Sequence, residues 1–332
     1  MKKISVAMCT YNGSRFVKEQ LESIFSQTHL PDEIIICDDN STDNTVDIAR
    51  EILNNENIDY KIIINIENLG VIKNFEQAIK CCSGDIIFTC DQDDVWLPQK
   101  IEKMQSQFLG NNDYMAVFSN ATLVNENLDS LNVDLWSTLK FNSGEIINKE
   151  EQLIKVLLKH CVVTGAALAF RREVFDEMLP FSKYWIHDGW IAILLSLKDQ
   201  IIPLNEELLL YRQHSNNVIG ASDRNLINKI SVYFSNLKEI EKVRNNRLNR
   251  YKDVKRYIDD KDIVLDINII NAINECIDFW ERKTKLSSVS LFSGTKIIIK
   301  DYFNKSYVSY YSGFAGAIRD ILKLFLKKLR VE

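Results

Sequence analysis

The sequence predicts an α/β protein with a mostly parallel central sheet, followed by an α-helical C-terminal extension. In the N-terminal part, short apolar runs alternate with stretches of helical spacing, which is typical of βαβ units and a parallel sheet. Several of these runs are apolar throughout, as expected for strands that are covered on both faces. From residue 223 onward, charged and aliphatic residues recur with helical spacing.

The N-terminal elements follow one another in a regular order. We predict strands over 4–9, 33–37, 60–65 and 85–90, and helices over 14–26, 44–54, 71–81 and from Pro98 to about 109. The later elements are a strand over 114–124, a loop-rich stretch over 125–150, a helix over 151–159, a strand over 161–171, a helix within 185–197 and a strand over 200–210. We expect a catalytic domain over 1–220 and a helical region over 221–332.

Composition excludes several classes of protein. The formal net charge of −5 argues against a nucleic-acid partner. The seven cysteines are irregularly spaced, so they predict reduced, buried thiols instead of a disulfide framework. No apolar run reaches 18 residues and the N-terminal run is short, so we expect neither a membrane span nor a signal peptide. A cytoplasmic protein is the expectation.

The segment 314–330 is a basic amphipathic helix. Its apolar residues share one face, and its charged residues are mostly Lys and Arg. Such a helix can lie on an anionic membrane surface, which would place the protein at the inner face of the cell membrane. The alternative is that the apolar face packs on the rest of the domain, and the sequence leaves both open.

Three polar clusters follow predicted strands, at 10–12, 38–40 and 91–94. Ligands of open α/β sheets bind at the carboxyl ends of the strands, so one shared site is expected. The third cluster contains Asp91, Asp93 and Asp94, whose charges repel unless a cation or proton relieves them. Mg²⁺ and Mn²⁺ prefer such oxygen ligands. Alternatively, Asp94 caps the following helix.

The segments "SVAMCTYNG", "EIIICDDNSTDNT", "NLGVIKNFEQAI" and "GDIIFTCDQDDVW" together resemble a family 2 glycosyltransferase with the GT-A fold. The resemblance is dense over about 3–110 and looser to about 220. "DQDDVW", "HDGW" and "YRQHSNNV" are most similar to bacterial enzymes of surface-polysaccharide assembly, including rhamnosyltransferases.

The resemblance implies roles for particular residues. Asp39 would hold the base of the nucleotide and Asp93 the metal, with Asp91 near the ribose or the metal. The implied nucleotide-binding residues are Thr10, Tyr11, Asn12, Asp39, Lys73, Asn74 and Asp91. His214 would complete the metal shell or touch the diphosphate, unless it is structural, and Arg212 would neutralise phosphate charge.

The family also has a later carboxylate that acts as catalytic base, and "WIHDGW" offers Asp188. Inverting sugar transfer needs such a group to take the acceptor hydroxyl's proton. From the residues alone, Asp188 is equally an N-cap of the helix that follows. His187, Trp185 and Trp190 are candidate acceptor contacts, with packing in the core as the alternative.

The function expected is an inverting, Mn²⁺- or Mg²⁺-dependent glycosyltransferase. It would move a sugar from a UDP- or dTDP-sugar, dTDP-rhamnose among them, to a glycan or lipid-linked acceptor in polysaccharide synthesis. One alternative is a Mg²⁺-dependent phosphoryl- or nucleotidyl-transfer enzyme, although the P-loop pattern is absent from the sequence. The other is a non-catalytic module that binds nucleotide-sugars.

Overall fold

The computed structural model describes residues 2–110, 112–149, 152–214 and 237–331, with side chains except at 237–239 and 326–331. The chain divides into two compact units, Met1–Gln152 with Val162–Ser222, and Leu153–Cys161 with Asp223–Glu332. The sequence predicted a boundary near 220, and Leu153–Cys161 is the one earlier segment that belongs with the C-terminal part.

The first unit is built on a single mixed sheet. Its strands are β1 (Ile4–Thr10), β2 (Glu33–Asp38), β3 (Asp59–Ile64), β4 (Ile86–Asp91), β5 (Val95–Trp96), β6 (Ala116–Val124), β7 (Ser130–Asp134), β8 (Leu168–Arg171) and β9 (Ile201–Arg212). Their order is β3-β2-β1-β4-β8-β6-β9-β5, with β7 paired to β6. Strands β1 to β4 pair in parallel, whereas β8 is antiparallel to both its neighbours.

Helices connect the parallel strands. In the first unit they are α1 (Val17–Phe25), α2 (Thr45–Asn54), α3 (Val71–Cys81), α4 (Lys100–Gly110), α5 (Leu135–Leu139), α6 (Ser143–Ile147) and α8 (His187–Ser196). Every residue of β1 and β2 is buried, because a parallel sheet of this kind is covered on both faces. The predicted α/β class, with parallel N-terminal strands connected by helices, is therefore confirmed.

Local differences from prediction have physical causes. Strand β5 was not predicted. It has only two residues, which pair with β9, and two residues are too few to leave a periodic signal in the sequence. The predicted strand over 161–171 is paired in the sheet only at Leu168–Arg171, after a 3-10 turn at Gly165–Ala167. The stretch 125–150 contains β7, α5 and α6, and α5 is capped by Asp134, whose side chain accepts the Ser137 N–H.

The second unit is helical. It comprises α7 (Leu153–Lys159), α9 (Leu237–Asp260), α10 (Ile267–Lys285), α11 (Leu291–Phe303), α12 (Ser306–Tyr310) and α13 (Gly313–Val331). Aromatic rings fill its core, where Phe279 packs edge-on against Trp280 and Tyr307 at centroid distances of 5.5 and 5.2 Å. In the part of the chain that the structure describes, no helix combines the length and apolar character needed to cross a bilayer.

A buried charge cluster ties four helices of this unit together. Asp320 of α13 is 2 % exposed and accepts hydrogen bonds from Lys283 Nζ at 2.5 Å, Tyr307 Oη at 2.7 Å and Arg244 Nη2 at 2.9 Å. Burial alone would raise the pKa of Asp320, but the adjacent Lys283 and Arg244 lower it below its ordinary value. The carboxylate is therefore ionised and shared by α9, α10 and α12.

We expect Asp320→Asn to lower the free energy of unfolding by about 1.5–3 kcal/mol, the usual loss when a buried hydrogen bond to a charged group is weakened. Because the folded pKa is lowered, the stabilisation is present above the unfolded value of about 3.9 and disappears as the pH falls through the folded value. Calorimetric unfolding at a series of pH values, from neutral pH down to well below the unfolded value of about 3.9, measures both effects.

Asp301→Asn is the matched control for this prediction. Asp301 is equally buried, but it forms an ion pair with a single guanidinium, that of Arg282 at 2.9 Å. A smaller loss of stability is expected there. An equal loss in the two variants would show that the Asp320 cluster contributes nothing beyond an ordinary ion pair.

Candidate active site

The three polar clusters lie side by side at the carboxyl edge of the sheet. Strand pairing places Thr10 opposite Asp38 and Cys9 opposite Asp91. The ends of β2, β1 and β4 are therefore in register, and the residues that follow them reach the same edge. This is the position at which open α/β sheets bind their ligands.

Side-chain hydrogen bonds join the ends of β1 and β2. Thr10 Oγ1 donates to Asp38 Oδ1 at 2.7 Å. The Asn12 N–H donates to Ser41 Oγ, and Asn12 Oδ1 accepts the Thr42 N–H, both at 2.8 Å. Thr10 and Asn12, predicted at the nucleotide pocket, thus fix the shape of this edge.

Gln92 lies between Asp91 and Asp93 and joins the ends of β1 and β4. Its Oε1 accepts the Tyr11 N–H at 2.8 Å, and its Nε2 donates to the Tyr11 carbonyl at 3.0 Å. A Cβ at Gly13 would lie 2.0 Å from Gln92 Oε1, so a larger residue at position 13 would displace the Gln92 side chain. The Tyr11 side chain itself is 49 % exposed and free to meet a ligand at the edge.

Asp39 connects the end of β2 to the loop before α3. The carboxylate is buried, and Oδ1 accepts the Leu69 N–H at 2.7 Å and Asn65 Nδ2 at 2.9 Å. Oδ2 accepts the Gly70 N–H at 2.9 Å. Asp39 therefore holds the loop wall beside the site, in addition to its predicted contact with the base.

Lys73 and Asn74 are adjacent in sequence but differ in placement. Asn74 is 2 % exposed and donates from Nδ2 to the Cys37 carbonyl at 2.8 Å, which anchors α3 to β2. Lys73 is half-exposed and pairs with Glu76 at 2.9 Å. The structure thus buries Asn74 behind the sheet edge and leaves the Lys73 ammonium at the surface.

The aspartates of the third cluster share one confined space with Asp188. Desolvation, followed by the charges of Asp93 and Asp188, raises the pKa of Asp91 to about 8. Asp94 is 1 % exposed; its Oδ1 accepts the Arg212 N–H at 2.9 Å, while its buried Oδ2 has no hydrogen-bond partner. The negative charge of this cluster is incompletely compensated by the protein.

His214 lies directly beside Asp93. Its Nε2 is 2.8 Å from Asp93 Oδ2, and its ring stacks on Phe16 with centroids 4.9 Å apart. Carboxylate oxygen suits both Mn²⁺ and Mg²⁺, and the imidazole nitrogen is a second possible ligand beside it. Elsewhere in the described ranges, as here, no three His, Cys, Asp or Glu side chains converge on one point.

The donor set nevertheless fits a substrate-bridged ion. Mg²⁺-type ions usually take one or two protein carboxylates and complete their shell with substrate phosphates and water. Asp93 and His214 would supply the protein ligands, and a bound cation would relieve the charge around the unpartnered oxygen of Asp94.

Lys100 is a buried lysine near the aspartates. Its position could not be predicted from the sequence. It is fully buried at the start of α4, lies 3.8 Å above the Trp96 ring and donates a hydrogen bond to the Ala166 carbonyl. Burial lowers its pKa to about 7. The lysine joins α4 to the 3-10 turn that carries Gly165.

Asp188 is held by that turn. Its Oδ2 accepts the Gly165 N–H at 2.8 Å, and Oδ1 accepts the N–H of Gly189 at 2.5 Å. Thr89 Oγ1 of β4 donates to the Gly165 carbonyl at 2.6 Å. The N-cap of α8 is Ile186, so Asp188 lies within the first turn and is not the N-cap that the sequence left open.

The neighbours of Asp188 are buried. His187 is 2 % exposed and stacks on Phe75 at 3.7 Å, and burial lowers its pKa to about 3. Trp185 and Trp190 are each 3 % exposed, and Trp190 Nε1 donates to the Met178 carbonyl at 3.0 Å. These placements favour packing over the predicted acceptor contacts.

Arg212 is buried against Asp93 and Asp94 of the third polar cluster. It is 2 % exposed; its Nε donates to the Asp93 carbonyl at 2.7 Å, Nη1 to the Glu126 carbonyl, and Nη2 to Glu19 at 2.5 Å. The guanidinium also lies 4.6 Å from the Phe16 ring centroid. Phosphate neutralisation by Arg212 stays a prediction; what the structure shows is that the guanidinium supports the Asp93 backbone.

The fold has counterparts among solved structures. A mannosyltransferase from Pyrobaculum calidifontis, solved with GDP-Man and Mn²⁺, matches the whole chain and 88 % of its own with a TM-score of 0.55 at 13 % identity. TarS residues 1–349 of Staphylococcus aureus match 99 % of this chain and 92 % of their own with a TM-score of 0.54 at 15 % identity. The protein therefore has the GT-A fold.

The chain belongs to glycosyl transferase family 2, whose model matches residues 5–179. An uncharacterised glycosyltransferase of Nostoc sp. is 30 % identical over 66 % of this chain and 68 % of its own. WfgD of Escherichia coli, a UDP-Glc:α-D-GlcNAc-diphosphoundecaprenol β-1,3-glucosyltransferase, is 26 % identical over 58 % and 69 %. RfbG of Shigella flexneri, a dTDP-rhamnosyl transferase, is 28 % identical over 65 % and 74 %.

Family membership confirms the predicted enzyme class. The protein is a glycosyltransferase, which removes the phosphoryl-transfer enzyme and the non-catalytic module as alternatives.

Proposed function

We propose that this protein is an inverting, metal-dependent glycosyltransferase of bacterial polysaccharide synthesis. It would transfer a sugar from a UDP- or dTDP-sugar to a glycan or lipid-linked acceptor. The observation that carries the proposal is the grouping of Asp91, Asp93 and Asp188 at the carboxyl edge of the sheet, where burial and then the charges of Asp93 and Asp188 raise the pKa of Asp91.

The donor would bind along the edge formed by β1, β2 and β4. The exposed Tyr11 side chain and the loop that Asp39 holds would bind the nucleoside. The half-exposed Lys73 of α3 would be available to contact the nucleotide. Dehydration of the site strengthens every charge interaction within it. Asp91 would lie near the ribose, at the junction of nucleoside and diphosphate.

Asp93 and His214 would hold Mn²⁺ or Mg²⁺ against the diphosphate. When bound, such an ion stabilises the negative charge that develops on the departing diphosphate. Arg212 would keep the Asp93 carbonyl fixed at 2.7 Å from its Nε, so that the carboxylate keeps its orientation.

Asp188 would act as the general base. One carboxylate oxygen accepts the Gly165 N–H and the other the Gly189 N–H, but a carboxylate has about four acceptor positions and can still take a proton from an acceptor hydroxyl. The hydroxyl oxygen would attack the anomeric carbon as the bond to diphosphate breaks. A single displacement of this kind inverts the configuration at that carbon and needs no covalent enzyme intermediate.

The bacterial relatives support the donor and acceptor classes. The name of WfgD specifies a UDP-sugar donor and a diphosphoundecaprenol-linked acceptor, and that of RfbG a dTDP-rhamnosyl donor. UDP-sugars and dTDP-sugars are therefore the first donors to test.

A donor panel tests the proposal. We expect one UDP- or dTDP-sugar, with Mn²⁺, to raise the melting temperature of the wild type; at a hundredfold excess over Kd the stabilisation is about 2.7 kcal/mol. Asp93→Ala should abolish the metal-dependent part of the shift. Asp47→Ala, at an exposed aspartate of α2 paired with Arg50, should keep it.

Slow hydrolysis of the same donor provides a second readout. Hydrolysis should require Mn²⁺ or Mg²⁺ and release the nucleoside diphosphate. The absence of any response to UDP-, dTDP- and GDP-sugars, with or without metal, would overturn the donor-site proposal.

A further inference from the structure

Helices α11 and α13 expose a concentration of phenylalanine that neither the fold nor the active site requires. Among the residues whose side chains the structure describes, the exposed phenylalanines are Phe292 (71 %), Phe303 (77 %), Phe314 (63 %) and Phe325 (50 %). All four lie on α11 or α13. Exposed aromatic side chains grouped in this way mark an interaction surface.

Each helix carries these residues as one stripe. On α11 the spacing of Phe292, Ile299 and Phe303 places them on one face. On α13 the exposed stripe consists of Phe314, Ile318, Leu322 and Phe325. The buried faces lie elsewhere on both helices, with Gly294 of α11 close to Leu324 of α13.

The two stripes meet through Tyr302. Its ring lies 5.8 Å from the Phe303 ring on α11 and 5.8 Å from the Phe314 ring on α13. The stripes therefore form a continuous two-helix surface, which we call the aromatic surface. The sequence had indicated only the single helix 314–330 as a membrane-contacting element.

The charge of this region is segregated from that of the rest of the protein. Between 291 and 331 the sequence has eight basic residues and two acidic ones, a net charge of +6, whereas the whole chain carries −5. The basic residues are Lys296, Lys300, Lys305, Arg319, Lys323, Lys327, Lys328 and Arg330.

Both acidic residues of the region are withdrawn from the surface. Asp301 and Asp320 are each 2 % exposed, and they pair with Arg282 and with Lys283 and Arg244. Lys296, Lys300 and Lys305 are exposed, and Lys296 Nζ lies 4.3 Å from the centroid of the Phe292 ring. The aromatic surface is consequently accompanied by positive charge without exposed carboxylates in the described part of 291–325.

We propose that the aromatic surface docks on an anionic lipid bilayer. Phenylalanine and aliphatic side chains would enter the boundary between headgroups and acyl chains, and the lysines would meet the lipid phosphates. A second copy of the chain is the alternative occupant, but two surfaces of the same positive charge repel each other. The proposal does not depend on the donor, the metal or the reaction.

Vesicle co-sedimentation of the full chain without nucleotide tests this proposal. The wild type should sediment with phosphatidylcholine vesicles that contain phosphatidylglycerol, and much less with phosphatidylcholine alone. The triple variant Phe292→Ser, Phe303→Ser, Phe325→Ser should reduce the partition coefficient by about tenfold or more, because it removes three large apolar insertions. Circular dichroism and melting temperature verify that the variant is folded.

The matched apolar control is Val243→Ser, Val264→Ser, Ile267→Ser, at residues 54, 94 and 63 % exposed in the same unit but outside the aromatic surface. It should bind vesicles as the wild type does. For charge, Lys296→Glu with Lys300→Glu should weaken binding, while Lys61→Glu with Lys80→Glu, at exposed lysines of the first unit, should not.

Two results would overturn the proposal. The first is that the wild-type protein fails to sediment with anionic vesicles. If sedimentation velocity then shows a dimer that the phenylalanine variant loses, the surface binds a second copy of the chain and not a bilayer. The other is equal vesicle binding by the phenylalanine triple variant and its apolar control. Neither result bears on the donor panel, so a failure here and a failure of the proposed reaction are distinguishable.

Discussion

Asp188→Asn is expected to lower kcat by about 10²–10⁴-fold, the usual contribution of a positioned general base. The amide is nearly the same size as the carboxylate, and its oxygen can still accept the Gly165 N–H that Asp188 Oδ2 accepts at 2.8 Å. The turn is therefore preserved while the basic group is lost. Turnover of the donor found in the panel, measured with acceptor at saturating donor, gives the effect.

Donor binding separates this prediction from a general structural defect. Asp188→Asn should give the same metal-dependent thermal shift as the wild type, because the substitution removes no proposed donor ligand. Asp176→Asn, at an exposed aspartate of the same unit, should leave kcat unchanged. A kcat within about threefold of wild type for Asp188→Asn would exclude Asp188 as the base, since that is far below the contribution of a general base.

The sequence was sufficient to predict the acidic edge because parallel pairing makes strand ends coincide. Thr10, Asp38 and Asp91 each follow or end an apolar run, and a parallel register brings such ends to one edge. Asp188 is different: it lies almost a hundred residues beyond Asp91 in the sequence, and only the family resemblance connected the two. No local pattern reports a contact of that kind.

Several supporting residues could not be predicted for the same reason. Gln92 looks like a spacer between two aspartates, and its role depends on Tyr11, 81 positions earlier. Lys100 looks like an ordinary polar residue at the start of a helix, but in the fold it is buried against the Ala166 carbonyl, 66 positions later. Composition favours lysine at the surface, so nothing in the sequence marks this one as internal.

Arg212 makes contacts in the fold that its residue type and position in the sequence did not predict. An arginine near a diphosphate site was expected to neutralise phosphate, because its guanidinium binds phosphate in bidentate fashion. In the fold that guanidinium is directed to two backbone carbonyls and to Glu19, which precedes it by 193 positions. The contact with Glu19 joins α1 to the end of β9, and the contact with the Asp93 carbonyl joins Arg212 to the aspartate cluster at 91–94.

Arg212→Met is accordingly expected to damage both stability and activity. The substitution keeps much of the side-chain volume but removes the charged donor of the Asp93 and Glu126 carbonyls. A buried hydrogen bond to a charged group usually contributes about 1.5–3 kcal/mol, whereas Glu19 is half-exposed and can be solvated. Because the Asp93 carbonyl loses its donor, the metal-dependent donor shift should also weaken, with kcat reduced by about 10²-fold. Urea unfolding and donor turnover below the melting temperature of the variant measure the two effects separately.

Arg212→Lys distinguishes a positioning role from a contribution of charge. Lysine keeps the positive charge but has one ammonium group and cannot donate to the Asp93 carbonyl, the Glu126 carbonyl and Glu19 as the guanidinium fork does. If Arg212 positions Asp93, Arg212→Lys should resemble Arg212→Met in its weakened metal-dependent shift. If the residue instead neutralises diphosphate from within the site, the lysine variant should recover most of the donor affinity, and the positioning role would be wrong.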